Sequence, residues 1–363
     1  MIADGNTVSA RQVIDDLDYL AARLHGRRSR MAEAERLTAL CRIRTLPELA
    51  HTIFPGSDFQ NVLDLQRLSV YQLARELSGF LAHVSGPGAR LLKWTLVRFR
   101  MENLKVLIRV CLTKSPAAEA ENYLAPLPKE LALPYQRLAA AESLDDFVQL
   151  IPKGLLRESL ADALEIYRDH PRPFFFEAAI DQRYFQELLA RVEGLSGEDR
   201  EIIKPMVCQE VDIFHLMLVT RGKFHYGLTS GVLLPLHVAG TRIPRALFVE
   251  MLNDQDFTAL VGHMTERVFD AAPFEHGSAD GSGSAMVEAA LFERLAWKRY
   301  LRLANLAFRQ SHMGLGAVMG YVGVRRVEVA NLITISEGIR KGMTAEAIRE
   351  RMITHTDEEA ARV

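Results

Sequence analysis

Gly314 to Met352 reads GLGAVMGYVGVRRVEVANLITISEGIRKGMTAEAIRERM, and its outline decides how the rest of the chain is read. It opens on spaced glycines and runs through the apolar core VRRVEVANLITI (Val324 to Ile335). It then turns at Lys341-Gly342-Met343 and closes on a short helix. Val327, Leu332, Ile335 and Ile339 recur at helical spacing, and Glu328 and Asn331, three residues apart, share one face beside them. A buried amide or carboxylate is costly unless it is hydrogen-bonded. The economical role of this polar pair is therefore to tie its helix to a neighbour and fix the register between them.

The same outline recurs twice upstream. At a shift of 228 residues, without a gap, Gly86 falls on Gly314, Gly88 on Gly316 and Ala89 on Ala317. The same shift brings Arg98 onto Arg326, Asn103 onto Asn331 and Leu104 onto Leu332. The middle copy is Val207 to Arg221, VCQEVDIFHLMLVTR, where His215-Leu216 stands in place of Asn-Leu. Asp212 and His215 again sit three apart in an apolar helix, and Arg109 and Arg221 each follow the polar landmark by six residues. Nearly even spacing of the landmarks predicts three helical units of about 110 to 120 residues. Their expected bounds are 1–125, 126–235 and 236–363, within one continuous body.

The fold class is all-α. Val8 to Leu24 places Val13, Leu17, Leu20, Ala21 and Leu24 on one stripe, opposite Arg11, Asp15, Asp18 and Arg23. Asp15, Asp16 and Asp18 read as a solvated face, because a cation site would need a second partner segment. Thr45-Leu-Pro-Glu48 has the spacing of a capping box with proline in the first turn, and Ser143-Leu-Asp-Asp146 is a weaker version. Further helices are predicted over Leu65 to Val84, from Ser85-Gly-Pro-Gly88 to about Thr113, and over Phe174 to Val192. A long apolar helix ends at Thr220, starting near Asp199 or, if Pro205 marks a first turn, near Lys204. Two short helices are expected at Arg245 to Leu252 and Asp256 to Met264. A low-complexity loop at His276 to Ser284 then precedes a helix of about thirty residues.

Composition excludes several classes. The 363 residues are 48% hydrophobic and 25% charged with a formal charge of −2, so no polycationic nucleic-acid surface is built; Arg23 to Arg30 (RLHGRRSR) reads as a solvated face. Cys41, Cys111 and Cys208 are solitary and widely spaced, which argues against a disulfide framework or zinc site and for buried structural thiols. The N-terminal MIADGNTVSA lacks the layout of a signal peptide, and no run approaches the roughly 18 apolar residues of a membrane span.

Catalytic motifs are missing as well. There is no GxxxxGK[ST] loop, HExxH or GxSxG, and Gly277 to Ser284 has neither the lysine nor the preceding strand of a phosphate cradle. Ser311-His312 and His225-Tyr226 read as ordinary loop or helix-end pairs. A metal at Asp212 and His215 would need a second acid–histidine pair, and the other copies offer asparagine. No catalytic residue, cofactor or metal ligand is expected.

With these residues in view, the chain resembles the C/d family of central-stalk subunits in the V-type and A-type rotary ATPases. The matches are Glu210-Val-Asp-Ile-Phe-His-Leu216, Tyr321 to Leu332, Ile335 to Gly342 and, as a first-unit version, Met101 to Arg109; Tyr19 to Arg30 looks like the family's N-terminal helix. Departures are His215 for asparagine, Arg100 where the other units carry an acid, and a proline-rich gap between units one and two. The resemblance implies a funnel of three helical units with approximate three-fold symmetry at the foot of the central stalk. It implies a non-catalytic rotor component, joining the membrane proteolipid ring to the shaft subunits D and F for ATP-linked proton or sodium transport. It also implies a peripheral position on the cytoplasmic face of the membrane. An α-helical scaffold for another partner and an all-α enzyme with a site at the repeat axis are the alternatives. The expected repeat ties are Asn103, Asp212, His215, Glu328 and Asn331. Arg109, Arg221, Arg325 and Arg326 are candidates for partner contact, or else helix-surface arginines capping neighbouring helix ends.

Overall fold

The computed structural model describes residues 5–57, 59, 61–114, 116–169, 172–255, 260 and 284–354, and every regular element among these is helical. The chain enters on α1 (Gly5–Arg28), which buries Leu20, Ala21 and Leu24 and exposes Asp16 and Asp18. The side chains of Arg11, Val13 and Asp15 lie outside the described residues. Next come α2 (Ala34–Cys41) and α3 (Leu46–Ile53), the latter capped by Thr45, whose Oγ accepts the Glu48 N–H at 3.4 Å. The long helices α4 (Val62–Phe80) and α5 (Gly86–Thr113) meet at Gly86, whose φ of +57° makes the break that Ser85-Gly-Pro-Gly88 predicts.

Short helices α6 (Ala117–Tyr123), α7 (Tyr135–Ala139) and α8 (Leu144–Leu150, capped by Ser143) lead to α9 (Leu155–Asp169) and α10 (Pro173–Glu193). Helix α11 (Gly197–Met217) starts close to Asp199, the earlier of the two expected starts, and departs from expectation at its far end. It runs straight through Pro205 instead of starting there, because the carbonyl that loses its partner belongs to the exposed Glu201, where water can reach it. At Leu218 it widens into a π-helical stretch to His225, closed by the Tyr226 N–H on the Arg221 carbonyl at 2.8 Å.

The chain continues through α12 (Ser230–Leu233), α13 (Arg245–Asn253), α14 (Ser284–Gln310), α15 (Leu315–Arg340) and α16 (Ala345–Arg349). The helix expected at Asp256 to Met264, Leu260 apart, and the loop from His276 up to Ser284 lie outside the described residues.

Helix α15 is the axis of the packing. Every residue from Leu315 to Val324 is buried, so this half is apolar all round; α14 runs along the helix, and α1, α3, α4 and α11 pack against it. Small residues let α14 approach: a Cβ on Gly320 would sit 2.5 Å from the Ala304 carbonyl oxygen and overlap the Phe308 amide. The Asp199 carboxylate of α11 takes the free N–H groups of Leu315 and Gly316 at the start of α15. Further along, Glu76 of α4 accepts from Arg27 (2.8 Å), Tyr321 (2.7 Å) and Arg325 (3.2 Å), joining α1, α4 and α15 at one carboxylate.

Two apolar cores result. The larger one runs through α1, α4, α5, α8 to α11, α14 and the first half of α15. The smaller gathers Leu37, Leu40, Leu49 and Leu65 from the N-terminal part with Leu332, Ile335 and Ile348 from the C-terminal part. Each such buried side chain contributes about 1.5–3 kcal/mol relative to exposure. The two ends of the described chain are thus held against one another.

Candidate partner socket and the polar ties around it

Three of the polar landmarks clamp the irregular segment that follows their own helix, and Asn103 also donates to Tyr135 Oη of α7 at 3.0 Å. Asn103 of α5 donates to the Ala125 carbonyl at 2.8 Å and accepts the Ala125 N–H at 2.9 Å. Asn331 of α15 does the same with Ile353, at 2.8 and 2.9 Å. In both cases the partner stands 22 residues downstream. In α11, His215 Nε2 accepts the Val238 N–H at 3.0 Å, 23 residues downstream. The reason is a backbone demand. A segment that packs as neither helix nor strand has unpaired N–H and C=O groups, and a side-chain amide satisfies one of each.

A second polar position, three residues earlier, serves the same segments. Asp212 accepts the Ile243 N–H at 3.3 Å, and Arg100 donates to the Leu131 carbonyl at 2.9 Å, each partner 31 residues downstream. An arginine in place of the acid therefore meets a carbonyl where the acid meets an N–H. Glu328 instead accepts the Ala32 N–H at 2.5 Å, across the junction of the chain ends, and pairs with Arg325. Replacing Asn331 with leucine is expected to orphan both Ile353 groups and lower stability by about 1–3 kcal/mol in urea denaturation. Loss of α16 protection in hydrogen exchange should accompany it.

A cavity of about 910 Å³ opens between α5, α10, α11, the π-helical stretch and α14. Two helix stripes at corresponding positions form part of its walls, one charged throughout and the other charged only at its ends. The residues on α5 are Arg98, Glu102, Lys105 and Arg109; those on α11 and its π continuation are Glu210, Phe214, Met217 and Arg221. The two sets correspond at an offset of 112 residues, the same that relates Asn103 to His215. Spacing of four, three and four residues puts each set on one helix face.

The charges inside are paired. Glu102 lies 2.8 Å from Arg98 and 3.3 Å from Lys105, and Lys105 lies 2.7 Å from Asp181 of α10. Desolvation by the cavity walls would lift the Glu102 carboxyl, although its side chain is 52% exposed, and these two cations hold it below the usual carboxylate range. The Arg98 guanidinium also stands over the Tyr184 and Phe185 rings at 5.6 Å. At the open side, Arg109 makes a two-pronged pair with Glu177, at 2.6 and 2.8 Å, with its side chain 59% exposed. Arg221 is 56% exposed and 3.5 Å from Glu293 of α14.

The four arginines singled out by sequence therefore separate. Arg109 and Arg221 reach the cavity, while Arg325 and Arg326 lie inside the body and cap no helix end. Arg325 is held by Glu76 and Glu328, and Arg326 binds Glu210 at 2.7 and 3.0 Å and Tyr300 Oη at 3.2 Å. Burial works against both charges of the latter pair, yet Arg326 holds Glu210 below the usual range and Glu210 secures the guanidinium charge. Sequence missed this because Glu76 and Glu210 stand on other helices. The cavity stripes do leave a signal in sequence, as residues at helical spacing that recur at the 112-residue offset between copies.

Among the described residues, no three His, Cys, Asp or Glu side chains are placed to hold a metal ion, and no helix is long and apolar enough to cross a membrane. Cys41 and Cys208 are buried and Cys111 half-buried, all as free thiols. Burial pushes the Cys208 thiol up to about 11, so it is a poor nucleophile at neutral pH. What the cavity offers is paired charge and aromatic surface, the chemistry of recognition.

Comparison with known proteins points the same way along the whole chain. The profile of the ATP synthase (C/AC39) subunit family matches residues 20–351. The C subunit of the A-type ATP synthase of Methanothermobacter thermautotrophicus is 25% identical over 314 residues, covering 86% of this chain and 78% of that protein. Its counterpart in Methanosphaera stadtmanae is 20% identical over 345 residues, covering 92% and 87%, and that of Methanocaldococcus jannaschii 21% over 349, covering 93% and 86%. The chain belongs to the ATP synthase (C/AC39) subunit family. It is accordingly a component of a rotary ATP synthase or ATPase complex.

Proposed function

We propose that the chain is the non-catalytic central-stalk member of a V/A-type rotary ATPase, coupling the membrane proteolipid ring to the shaft subunits D and F during ATP-linked proton or sodium transport. The observation that carries this reading is the cavity, about 910 Å³ and walled by corresponding faces of α5 and α11. In this reading the shaft enters between Arg109 and Arg221. The opposite end of the body rests on the ring, at the cytoplasmic face of the membrane. Residues 1–125, 126–235 and 236–363 act as three units with approximate three-fold symmetry, set as a funnel. The recurrence of the tie at Asn103, His215 and Asn331 supports that division.

A coupler must carry torque without shearing. Buried pairs such as Arg326–Glu210 and Lys105–Asp181 suit that demand, since sliding one helix past another would strand a charge away from water.

The test is assembly. The full chain mixed with D, F and the membrane sector of its own organism should co-migrate with both. Failure to join either, under conditions where those parts assemble with each other, contradicts the proposal. Arg109→Glu with Arg221→Glu should weaken shaft capture by roughly tenfold or more at low salt, and the difference should shrink as salt screens it. Titration calorimetry against purified DF measures both effects.

A further inference from the structure

The tie on α11 differs from the other two in its acceptor. Val238 N–H donates to His215 Nε2, so that nitrogen carries no proton and the neutral ring keeps its proton on Nδ1. The counterparts are the amide oxygens of Asn103 and Asn331, which do not titrate.

His215 is wholly enclosed, its side chain 0% exposed. Its ring stacks on His237, with centroids 4.7 Å apart and planes at 12°, and His237 Nε2 lies 2.9 Å from the Ile243 carbonyl. On the other side, Nδ1 stands 3.7 Å from Asp212 Oδ1, beyond hydrogen-bond reach. Neither that Nδ1 nor the second Asp212 oxygen has a hydrogen-bond partner. Among the described residues, the titratable groups facing His215 are thus Asp212 on its own helix and His237 across the stack. Helix α13 presents Phe248 at 5.3 Å, and Cys208 turns its thiol to the Gly240 carbonyl at 3.4 Å.

A second proton on His215 has only Nε2 to go to. That nitrogen would then point an N–H at the Val238 N–H, and two donors cannot share one contact. Asp212 attracts the charged ring, but enclosure and the stacked His237 oppose it. Burial holds His215 below the ordinary 6.5.

We propose that His215 is an acid-released latch: proton uptake at Nε2 frees the Val238 amide from α11, while the neighbouring bonds from Asp212 and Cys208 and the ties at Asn103 and Asn331 stay closed. The sign follows from linkage. The closed state disfavours the proton, so closure is fully favoured above about pH 6.5 and weakens as pH falls below it, by up to tenfold per pH unit until the closed-state value is reached. Val238 lies in sequence between the π-helical stretch and α13, so the response is local to that connection.

The experiment is amide hydrogen exchange on the full isolated chain, expressed as protection factors between about pH 7.5 and 5.5. Val238 is expected to lose protection as pH falls across that range, by up to about tenfold, with Ala125 and Ile353 unchanged. His215→Asn should leave Val238 protection independent of pH. The nitrogen shifts of the wild-type His215 ring supply a second readout that needs no variant, and Nε2 protonation should track the loss at Val238. The proposal is overturned if Val238 protection is flat over the range, or if all three amides lose protection together. It is equally overturned if His215→Asn keeps the pH response, or if Val238 opens with the His215 ring still neutral.

Discussion

Arg326→Leu should lower the unfolding free energy by about 3–5 kcal/mol, the range for breaking a buried ion pair from one side. Glu210 is only 4% exposed and relies on both Arg326 nitrogens, at 2.7 and 3.0 Å. Without them the carboxylate is left charged and dry at the meeting of α11 and α15. A Glu210→Leu, Arg326→Leu double variant should recover much of the loss, because apolar groups of similar shape leave no orphaned charge. The pH dependence separates this from simple loss of packing. In the wild type the depressed Glu210 contributes stability above its ordinary value of 4.5, and this is lost as pH falls through the folded-state value. In the variant burial dominates and Glu210 rises, so the carboxyl accepts a proton earlier. The gap between the two proteins should therefore narrow from pH 7 towards about pH 4. A gap that stays constant would mean the pair contributes through packing alone.

Gly320→Ala should cost about 3 kcal/mol, the upper end of ordinary overpacking. The obstructing atoms are the Ala304 carbonyl and Phe308 amide of α14, main-chain groups that cannot rotate away. The two helices would have to separate along the best-buried part of the molecule. Gly26 supplies the control: it lies in α1 with no atom within 4 Å of a prospective Cβ. Gly26→Ala should instead raise stability by about 0.5–1 kcal/mol through helix propensity. Urea midpoints for both variants read the contrast directly. Equal effects would show that α14 and α15 are not in main-chain contact in solution.

Much of this architecture was legible because its signals are local. The capping spacing at Thr45 and Ser143, the Gly86 break and the apolar period of α15 act within a few residues, so they survive in the sequence alone. Asn103, His215 and Asn331 were recognisable as buried polar landmarks, but not their partners. Those are main-chain groups 22 or 23 residues away, and a main chain leaves no residue-type signature. The same limit hid the fates of Arg325 and Arg326. Charge at helical spacing is the same on a rim as in an interior until the opposing helix, with Glu76 or Glu210, is known. The π-helical stretch was invisible for another reason. A wide turn keeps the composition of the α-helix it interrupts, and here Gly222 only lets Leu233 and Phe174 approach closely.

The central claim is that the shaft occupies the cavity, and Tyr226 is the position from which to ask. It lines the cavity and is 39% exposed, against the Phe174 ring at 5.1 Å. With p-benzoylphenylalanine in its place, illumination of the complex assembled with D, F and the membrane sector should yield an adduct to D or F. The same probe at Tyr123, 64% exposed and away from the cavity, should yield none. An assembled complex that gives no shaft adduct from Tyr226 would contradict the account.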